Sequence, residues 1–128
     1  MSQSKSISMQ VDDILMAYCK EVREISKEEI KNQADETKRT LRQTSPRNRK
    51  GSRRGYAKDW DKKPNGDGGW TVYNRHNYQL THLLENGHVV RNGVGTYGRV
   101  KGIKHIAPAE DAAAMRLPSR IKARLRML

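Results

Sequence analysis

Apolar positions along the first third of the chain recur in steps of three and four. The stripe runs from Val11 to Leu41, and neither proline nor glycine interrupts it. Such steps place side chains on one face of an α-helix, so the pattern predicts one long helix. The sequence Thr44-Ser45-Pro46 ends it, because proline cannot continue a helix and restricts the residue before it. The predicted stripe consists of Val11, Leu15, Cys19, Val22, Ser26, Ile30, Ala34, Thr37 and Leu41.

A β-hairpin pattern follows a basic segment rich in glycine and serine. Aromatic and β-branched residues alternate with polar ones over 56–62 and 69–74, and Asn65-Gly66 lies between the two runs. An Asn-Gly pair flanked by such runs is a strong hairpin signal. The aromatic side chains are expected to fill the core face of the sheet, although they could instead stack on nucleic-acid bases. They are Tyr56, Trp60 and Trp70.

Shorter elements are predicted after the hairpin. Residues 77–86 indicate a short helix, with Asn77 as its N-cap and Gly87 as its stop. A strand is predicted at 88–90 and another near 99–106.

A last helix is predicted to open with Pro108 in its first turn. Pro118 should break or kink it, and Ser119 could cap a final basic segment. The resulting fold class is α+β: a long N-terminal helix packed on a small antiparallel sheet, with a short middle helix and a C-terminal helix. Residues 1–128 form a single domain, divided into the long helix 9–43, a basic linker 44–55, the sheet and short helices 56–115, and a basic C-terminal tail 116–128.

Composition narrows the function classes. Only 34% of residues are hydrophobic and phenylalanine is absent, so the core must be thin or shared with another subunit. The net charge of +12 implies attraction to nucleic acid, an anionic membrane or an acidic protein surface. No run approaches the ~18 apolar residues of a membrane span, and the polar segment 1–8 does not resemble a secretory signal. The one cysteine, Cys19, suits a reducing cytosol and is expected to be buried on the helix.

Catalytic or metal-binding patterns are weak. His82 and His88 are six residues apart with Glu85 between them, whereas zinc proteases need two histidines one helical turn apart. The G-x-G-x-x-G pattern at 93–98 is interpreted as a flexible loop, because it lacks the flanking buried strand and helix. We therefore predict no catalytic residue, metal or cofactor, and surface or interface positions for the four histidines, His76, His82, His88 and His105.

Two basic clusters remain. The linker, which is expected to be a mobile loop, contains five lysine and arginine residues. The tail contains five more, and such cations could neutralise phosphates. The linker could dock on an acidic neighbouring subunit, which we favour, or line a channel through which DNA passes. The linker residues are Arg47, Arg49, Lys50, Arg53 and Arg54, and the tail residues are Arg116, Arg120, Lys122, Arg124 and Arg126.

Four blocks carry a resemblance to a known family. They are G-Y-A-x-x-W at 55–60, V-Y-N at 72–74, L-T-H-L-L-E-N-G-H at 80–88 and H-I-A-P-A-E at 105–110. In this order, after a long helix and Ser-Pro, they resemble the tail-completion family of long-tailed phages, the gene-ten type of coliphage Hong Kong ninety-seven. The resemblance covers about residues 9–115 and leaves out the basic tail. Its motif residues are Leu80, Thr81, His82, Leu83, Leu84, Glu85, Gly87, His88, His105, Ile106, Pro108 and Ala109.

The resemblance implies a virion structural protein of the neck that is made in the host cytoplasm. It would act in tail completion or head–tail joining, as a ring of six or twelve copies beside other neck or tail proteins. The station could also be that of a tail terminator or a head-side connector. Non-specific contact with passing genomic DNA is compatible with this role, whereas a membrane, a small-molecule substrate or a cofactor is not implied. The alternatives are a basic single-domain nucleic-acid-binding protein and, more remotely, a metal-dependent nuclease that uses His82 or His88.

Overall fold

The computed structural model describes residues 6–47, 55–91 and 95–128. It confirms the α+β class. The first helix, α1, spans Ile7–Thr44. The Ser6 hydroxyl begins it by accepting the Met9 N–H at 3.2 Å, which satisfies one of the free donors of the first turn. The predicted end is confirmed, because Ser45 takes an extended conformation and its N–H closes on the Leu41 carbonyl at 3.0 Å.

The predicted hairpin is present and antiparallel. Strands β1 (Trp60–Pro64) and β2 (Trp70–Asn74) pair from Trp60 opposite Asn74 to Pro64 opposite Trp70. The prediction that the first strand begins at Tyr56 was wrong. Residues 55–59 form a turn in which the Asp59 N–H donates to the Gly55 carbonyl at 2.6 Å. That turn carries Tyr56 inward before the strand begins.

The middle helix is shorter than predicted. A 3₁₀ turn covers Tyr78–Leu80 and leads into α2, Thr81–Asn86. Gly87 ends α2 with a positive φ of 81°, which confirms it as the stop. Asn77 does not cap the helix, because its side-chain amide donates to Asp59 Oδ2 at 2.9 Å instead.

A second two-stranded antiparallel sheet follows directly. Its strands are β3 (Gly87–Arg91) and β4 (Thr96–Lys101), with an irregularity in pairing between Val89 and Arg91. The sequence predicted both regions as strands but not their separation from the first sheet. The second strand was predicted too far along the chain, near 99–106, whereas it begins at Thr96 and ends at Lys101. The prediction of a flexible loop over 93–98 was therefore wrong for residues 96–98, which belong to this strand.

The last helix, α3, spans Ile106–Leu125 and packs along α1. Pro108 lies in its first turn as predicted, but the expected break at Pro118 was wrong, since the helix continues through it. Ser119 is not a cap; its hydroxyl donates to the Met115 carbonyl at 3.1 Å. A proline removes one backbone bond, and contacts with α1 hold the helix across it. Most of the predicted basic tail is therefore the second half of α3.

The core is small and lies near the C-terminal end of α1. Four buried residues form it, with three half-buried apolar side chains packed against them. It joins α1, the turn before β1, the first sheet and the start of α3, so it holds the elements that carry the sequence motifs. The buried members are Leu41, Tyr56, Trp60 and Ala109, and the surrounding ones are Val72, Leu84 and Ile106.

Replacing Leu41 with alanine should destabilise the protein by about 3 kcal/mol, because truncation of a buried leucine leaves a cavity. Met16→Ala on the same helix is the matched control, since Met16 is 72% exposed and should change stability by less than about 0.5 kcal/mol. Urea unfolding followed by circular dichroism measures both. Equal effects for the two variants would contradict this placement of the core.

Candidate functional site

The carboxylate of Glu85, at the end of α2, caps the N-terminus of α3. Its Oε1 accepts the N–H groups of His105 and Ile106 at 2.7 and 2.8 Å, and its Oε2 accepts that of Ala107 at 2.9 Å. The first N–H groups of a helix have no partner within the helix, and a negative charge there is favoured by the helix dipole. Pro108, the next residue, has no N–H to satisfy. The Glu85 side chain therefore satisfies all the free backbone N–H groups at the start of α3.

Glu85 is buried and remains ionised. Burial raises the pKa of its carboxyl group, but the three backbone donors, followed by His105, outweigh this effect, so the pKa lies below its ordinary value. The bonded carboxylate is therefore the stable form at neutral pH.

His105 and Tyr56 continue this network into the core. The Nδ1 atom of His105 lies 2.7 Å from the Ile103 carbonyl and 2.9 Å from Glu85 Oε1, so it carries the proton. In the neutral ring, Nε2 then accepts from the Tyr56 hydroxyl at 2.7 Å. Burial, followed by the charge of Glu85, raises the pKa of Tyr56 to about 12. The prediction that His105 is a surface or interface histidine was wrong, because it is 1% exposed.

Trp60 links this network to the end of α1. Its indole N–H donates to Ser45 Oγ at 2.7 Å, and its ring packs edge-on against Tyr56 at 5.8 Å between centroids. Asn74, at the end of β2, donates to the Tyr56 carbonyl at 2.8 Å and is also buried. The Ser-Pro stop and the four motif blocks of the sequence therefore meet around one buried polar and aromatic cluster, the Glu85 network. It consists of Ser45, Tyr56, Trp60, Asn74, Glu85 and His105.

Acid–base chemistry at this network is disfavoured by burial. Tyr56, His105 and Glu85 resemble a proton relay in their order of contacts, but each is less than a tenth exposed. A general acid or base must come within hydrogen-bonding distance of its substrate. The arrangement instead holds α3 against α2 and the turn before β1, so these motif residues are structural.

Two glycines allow the backbone to close around the Glu85 network. A Cβ atom on Gly87 would lie 2.4 Å from the Val100 carbonyl oxygen, and Gly87 has a φ of 81°. A Cβ atom on Gly102 would lie 2.4 Å from the Gly87 nitrogen. Both positions therefore require glycine. Gly87 belongs to a predicted motif, whereas the role of Gly102 was missed, since a single glycine beside a strand has no distinguishing pattern.

The remaining motif residues lie around α2. Leu84 packs against the core, Leu83 and Leu80 are half-buried, and the Thr81 hydroxyl donates to the Tyr78 carbonyl at 2.8 Å. His82 is exposed and His88 is half-buried. Within residues 6–47, 55–91 and 95–128, no group of three or more histidine, cysteine, aspartate or glutamate side chains could hold a metal ion.

The predicted linker site falls largely outside the described residues. Arg47 is exposed, and its guanidinium donates to the Arg42 carbonyl at 2.9 Å. The other four residues lie in the segments that the structure does not describe: Arg49, Lys50, Arg53 and Arg54.

Three arginines of the predicted basic tail face α1 instead of forming a separate cluster. Arg116 and Arg120 both reach Glu36 at 2.5 Å, and Arg124 reaches Glu28 at 3.0 Å and Glu29 at 3.2 Å. Burial raises the pKa of Glu36, but the two arginines outweigh it and the pKa is lowered. The four-residue spacing of the arginines was the signal that could have indicated a helix face paired with an acidic one.

The first half of α1 is exposed on every side. Each residue from Ser6 to Glu21 is exposed, although Val11, Leu15 and Tyr18 continue the stripe that is buried further along. We call residues 7–24 the N-terminal arm. The prediction that Cys19 is buried was wrong, because α3 and the sheets cover only the C-terminal half of α1.

The second sheet forms the other prominent surface. From Asn86 to Ala109 the sequence contains no acidic residue. The Asn86 carbonyl accepts Arg99 at 3.0 Å and its side chain accepts Lys104 at 2.5 Å, which gathers two cations at the base of the strands. Val89, which pairs with Arg99 across the two strands, is 37% exposed on the same face. We call β3, β4 and the residues up to Lys104 the basic hairpin.

Comparison with known proteins adds no relative: no protein-family model, no curated protein and no solved structure matches the chain. Among the helices in the described part of the chain, none has the length and apolar character of a membrane span.

The Glu85 cap predicts a specific pH dependence. The pKa of Glu85 is lowered in the folded state, so its contribution to stability is present above the unfolded pKa and is lost as pH falls through the folded pKa. Glu85→Gln should lose about 2 kcal/mol at pH 7 and show a smaller further loss between pH 5 and pH 3 than the wild type. Glu110→Gln, at an exposed position on α3, is the control. Parallel pH profiles for wild type and Glu85→Gln, measured by urea unfolding, would contradict the assignment.

Gly102→Ala should destabilise the protein by about 3 kcal/mol or prevent folding, because the added methyl group overlaps backbone atoms. Gly95→Ala is the control, since a Cβ atom there meets nothing within 4 Å. Thermal unfolding compares the two. A Gly102→Ala variant as stable as Gly95→Ala would show that the backbone segments are not in contact.

Proposed function

We propose that this chain is a non-enzymatic structural protein of a phage neck. It would act in tail completion or head–tail joining and assemble as a ring of six or twelve copies in the virion. The observation that carries the proposal is the N-terminal arm, whose apolar side chains are exposed from Ile7 to Tyr18 in a stretch, residues 7–21, of about four exposed helical turns. Soluble monomers rarely expose large contiguous apolar patches, and such patches mark interaction sites.

The Glu85 network supports the resemblance on which the phage role depends. The four motif blocks are separate in sequence, yet one residue or more from each contributes to the same buried cluster. This favours interpreting them as one structural signature instead of four unrelated short matches. A motif that specifies a scaffold also fits a protein whose function lies in its outer surfaces.

A non-catalytic role is supported by the positions of the polar side chains. The cluster of titratable side chains formed by Glu85, His105 and Tyr56 joins elements of the fold and is buried from solvent. His82 is exposed on α2, whereas His88 lies on β3. This arrangement gives little support to a nuclease that uses these two histidines.

The alternative of a basic nucleic-acid-binding protein has one observation in its favour, the exposed cations of the basic hairpin. Two others weigh against it. Tyr56 and Trp60 are buried and cannot stack on bases, and Lys62 and Lys31 lie over the ring of Trp70 at 4.7 and 5.8 Å. The arginines of α3 that face α1 are paired with carboxylates.

The linker is proposed to dock on a neighbouring protein, since a channel that binds DNA tightly would impede its passage. A groove that neutralises five phosphates would bind free duplex DNA with a salt slope of about −4 to −5.

Complementation tests the function directly. Heads and tails from the encoding phage with its own copy of this gene disrupted should join when the purified protein is added, and infectious titre should return. A variant with serine at all five linker positions should fail to join them while keeping its melting temperature. The matched control is Lys58→Ser with Lys63→Ser, which changes exposed cations elsewhere and should join normally.

Unrestored joining with the wild-type protein would contradict the neck role. Normal joining by the linker variant, with altered DNA retention or ejection, would favour the channel role for the linker. Tight binding of free duplex DNA with the salt slope above, together with unrestored joining, would favour the nucleic-acid-binding alternative.

A further inference from the structure

The exposed stripe of the N-terminal arm continues an interface that the chain already uses. Val11, Leu15, Tyr18 and Val22 recur in steps of four, three and four, and the same spacing leads to the buried Ile25. A 3.5-residue repeat is the seam by which helices pack along one another. Beyond Ile25, α3 covers α1, with Arg124 contacting Glu28 and Glu29. The arm therefore carries the part of this helix-packing stripe that α3 does not cover.

The arm has the opposite charge to the rest of the molecule. It contains four acidic residues and two basic ones, a net charge of −2 in a chain of net charge +12. Asp12 and Glu21 lie beside the seam positions Val11 and Val22. Two arms packed together would bring net negative charges against each other, whereas a basic and apolar surface would match the arm in both respects.

The basic hairpin has this matching character. It carries no acidic side chain in its own strands. Successive side chains of a strand point to opposite faces, so Arg99 and Lys101 share one face with the exposed, apolar Val89, which pairs with Arg99. Lys104 is exposed beyond the end of β4 and, like Arg99, bonds Asn86. The hairpin packs on α2 through β3, and residues 98–101 of β4 are exposed.

We propose that the N-terminal arm of one copy docks on the basic hairpin of a second copy. The contact joins two different surfaces, so each copy uses its arm towards one neighbour and its hairpin towards the other. A head-to-tail contact of this kind closes into a ring when the rotation between copies permits it. The arm is about 27 Å long, which lets it reach across a neighbouring subunit. This inference deepens the ring assembly of the proposed function and rests on it.

Disulfide trapping tests the contact with the natural cysteine. Cys19 is the single cysteine of the chain and is exposed on the arm. Oxidising a Val89→Cys variant should produce a ladder of disulfide-linked dimers, trimers and larger species, because each copy then carries one cysteine on each proposed surface. The wild type, with Cys19 alone, should give at most a trace of dimer. The matched control is Lys58→Cys, at an exposed position outside the hairpin, which should also give only a trace.

Sedimentation velocity provides a second measurement. The variant Val11→Ser, Leu15→Ser, Tyr18→Ser should sediment as a monomer at concentrations where the wild type is oligomeric, with an unchanged melting temperature since the three side chains are 47%, 55% and 48% exposed. Met16→Ser, exposed but outside the seam, should associate normally. Asp12→Lys with Glu21→Lys should weaken association at least tenfold, and adding Lys101→Glu with Lys104→Glu should restore it.

Three results would overturn the inference: strong dimerisation through Cys19 alone, equal cross-linking of Lys58→Cys and Val89→Cys, or normal association of the triple serine variant. Failure of the proposed function is distinguishable from these. Specific cross-linking without restored head–tail joining would support the interface and contradict the phage role. Head–tail joining restored by the triple serine variant would support the phage role and contradict the proposed interface.

Discussion

The capping of α3 by the Glu85 carboxylate is the interaction on which the C-terminal half of the fold depends. Three backbone donors converge on one side chain, and an ionised acceptor makes each bond stronger than a neutral one. Removing the carboxylate would leave these three N–H groups without their partner, which costs more than the bonds contribute. The position of α3, and so its packing on α1, follows from this one group.

A polar network of this kind suits a chain with a small core. The central cluster has only four buried apolar residues, of which two, Tyr56 and Trp60, also carry hydrogen-bonding groups. Directional bonds from these side chains fix the relative placement of the elements where apolar area is limited. Because the small core and this network hold the fold together, the outer surfaces are available for contacts with other subunits. The arm is the N-terminal part of α1, whereas the basic hairpin packs on α2, which carries Glu85. The molecule therefore has two distinct surfaces.

The sequence predicted the elements well where local rules decide them. The long helix, its end at Ser45-Pro46, the hairpin around Asn65-Gly66 and the stop at Gly87 depend on periodicity, capping and turn chemistry. It did not predict what depends on partners distant in sequence. Cys19 shares the helical stripe with Leu41, but only Leu41 has another element packed over it.

The same distinction between local rules and partners distant in sequence applies to the motif residues. The blocks that carry the resemblance contain most of the Glu85 network, yet their sequence does not reveal that Glu85 binds backbone groups twenty residues further along. The arginines of α3 were interpreted as a free basic tail because their acidic partners lie on α1, some eighty residues away. Four of the five linker residues lie outside the described part of the chain, so their role stays a prediction.

In the proposed assembly, a second copy of the chain covers the N-terminal arm. Hydrogen–deuterium exchange of α1, measured at increasing protein concentration, tests it most directly, since amides within a new interface open less often. Exchange over residues 7–24 is expected to slow markedly as concentration rises, while exchange over residues 25–44 stays constant. Rapid exchange of the arm at every concentration, under conditions where the rest of α1 is protected, would contradict it.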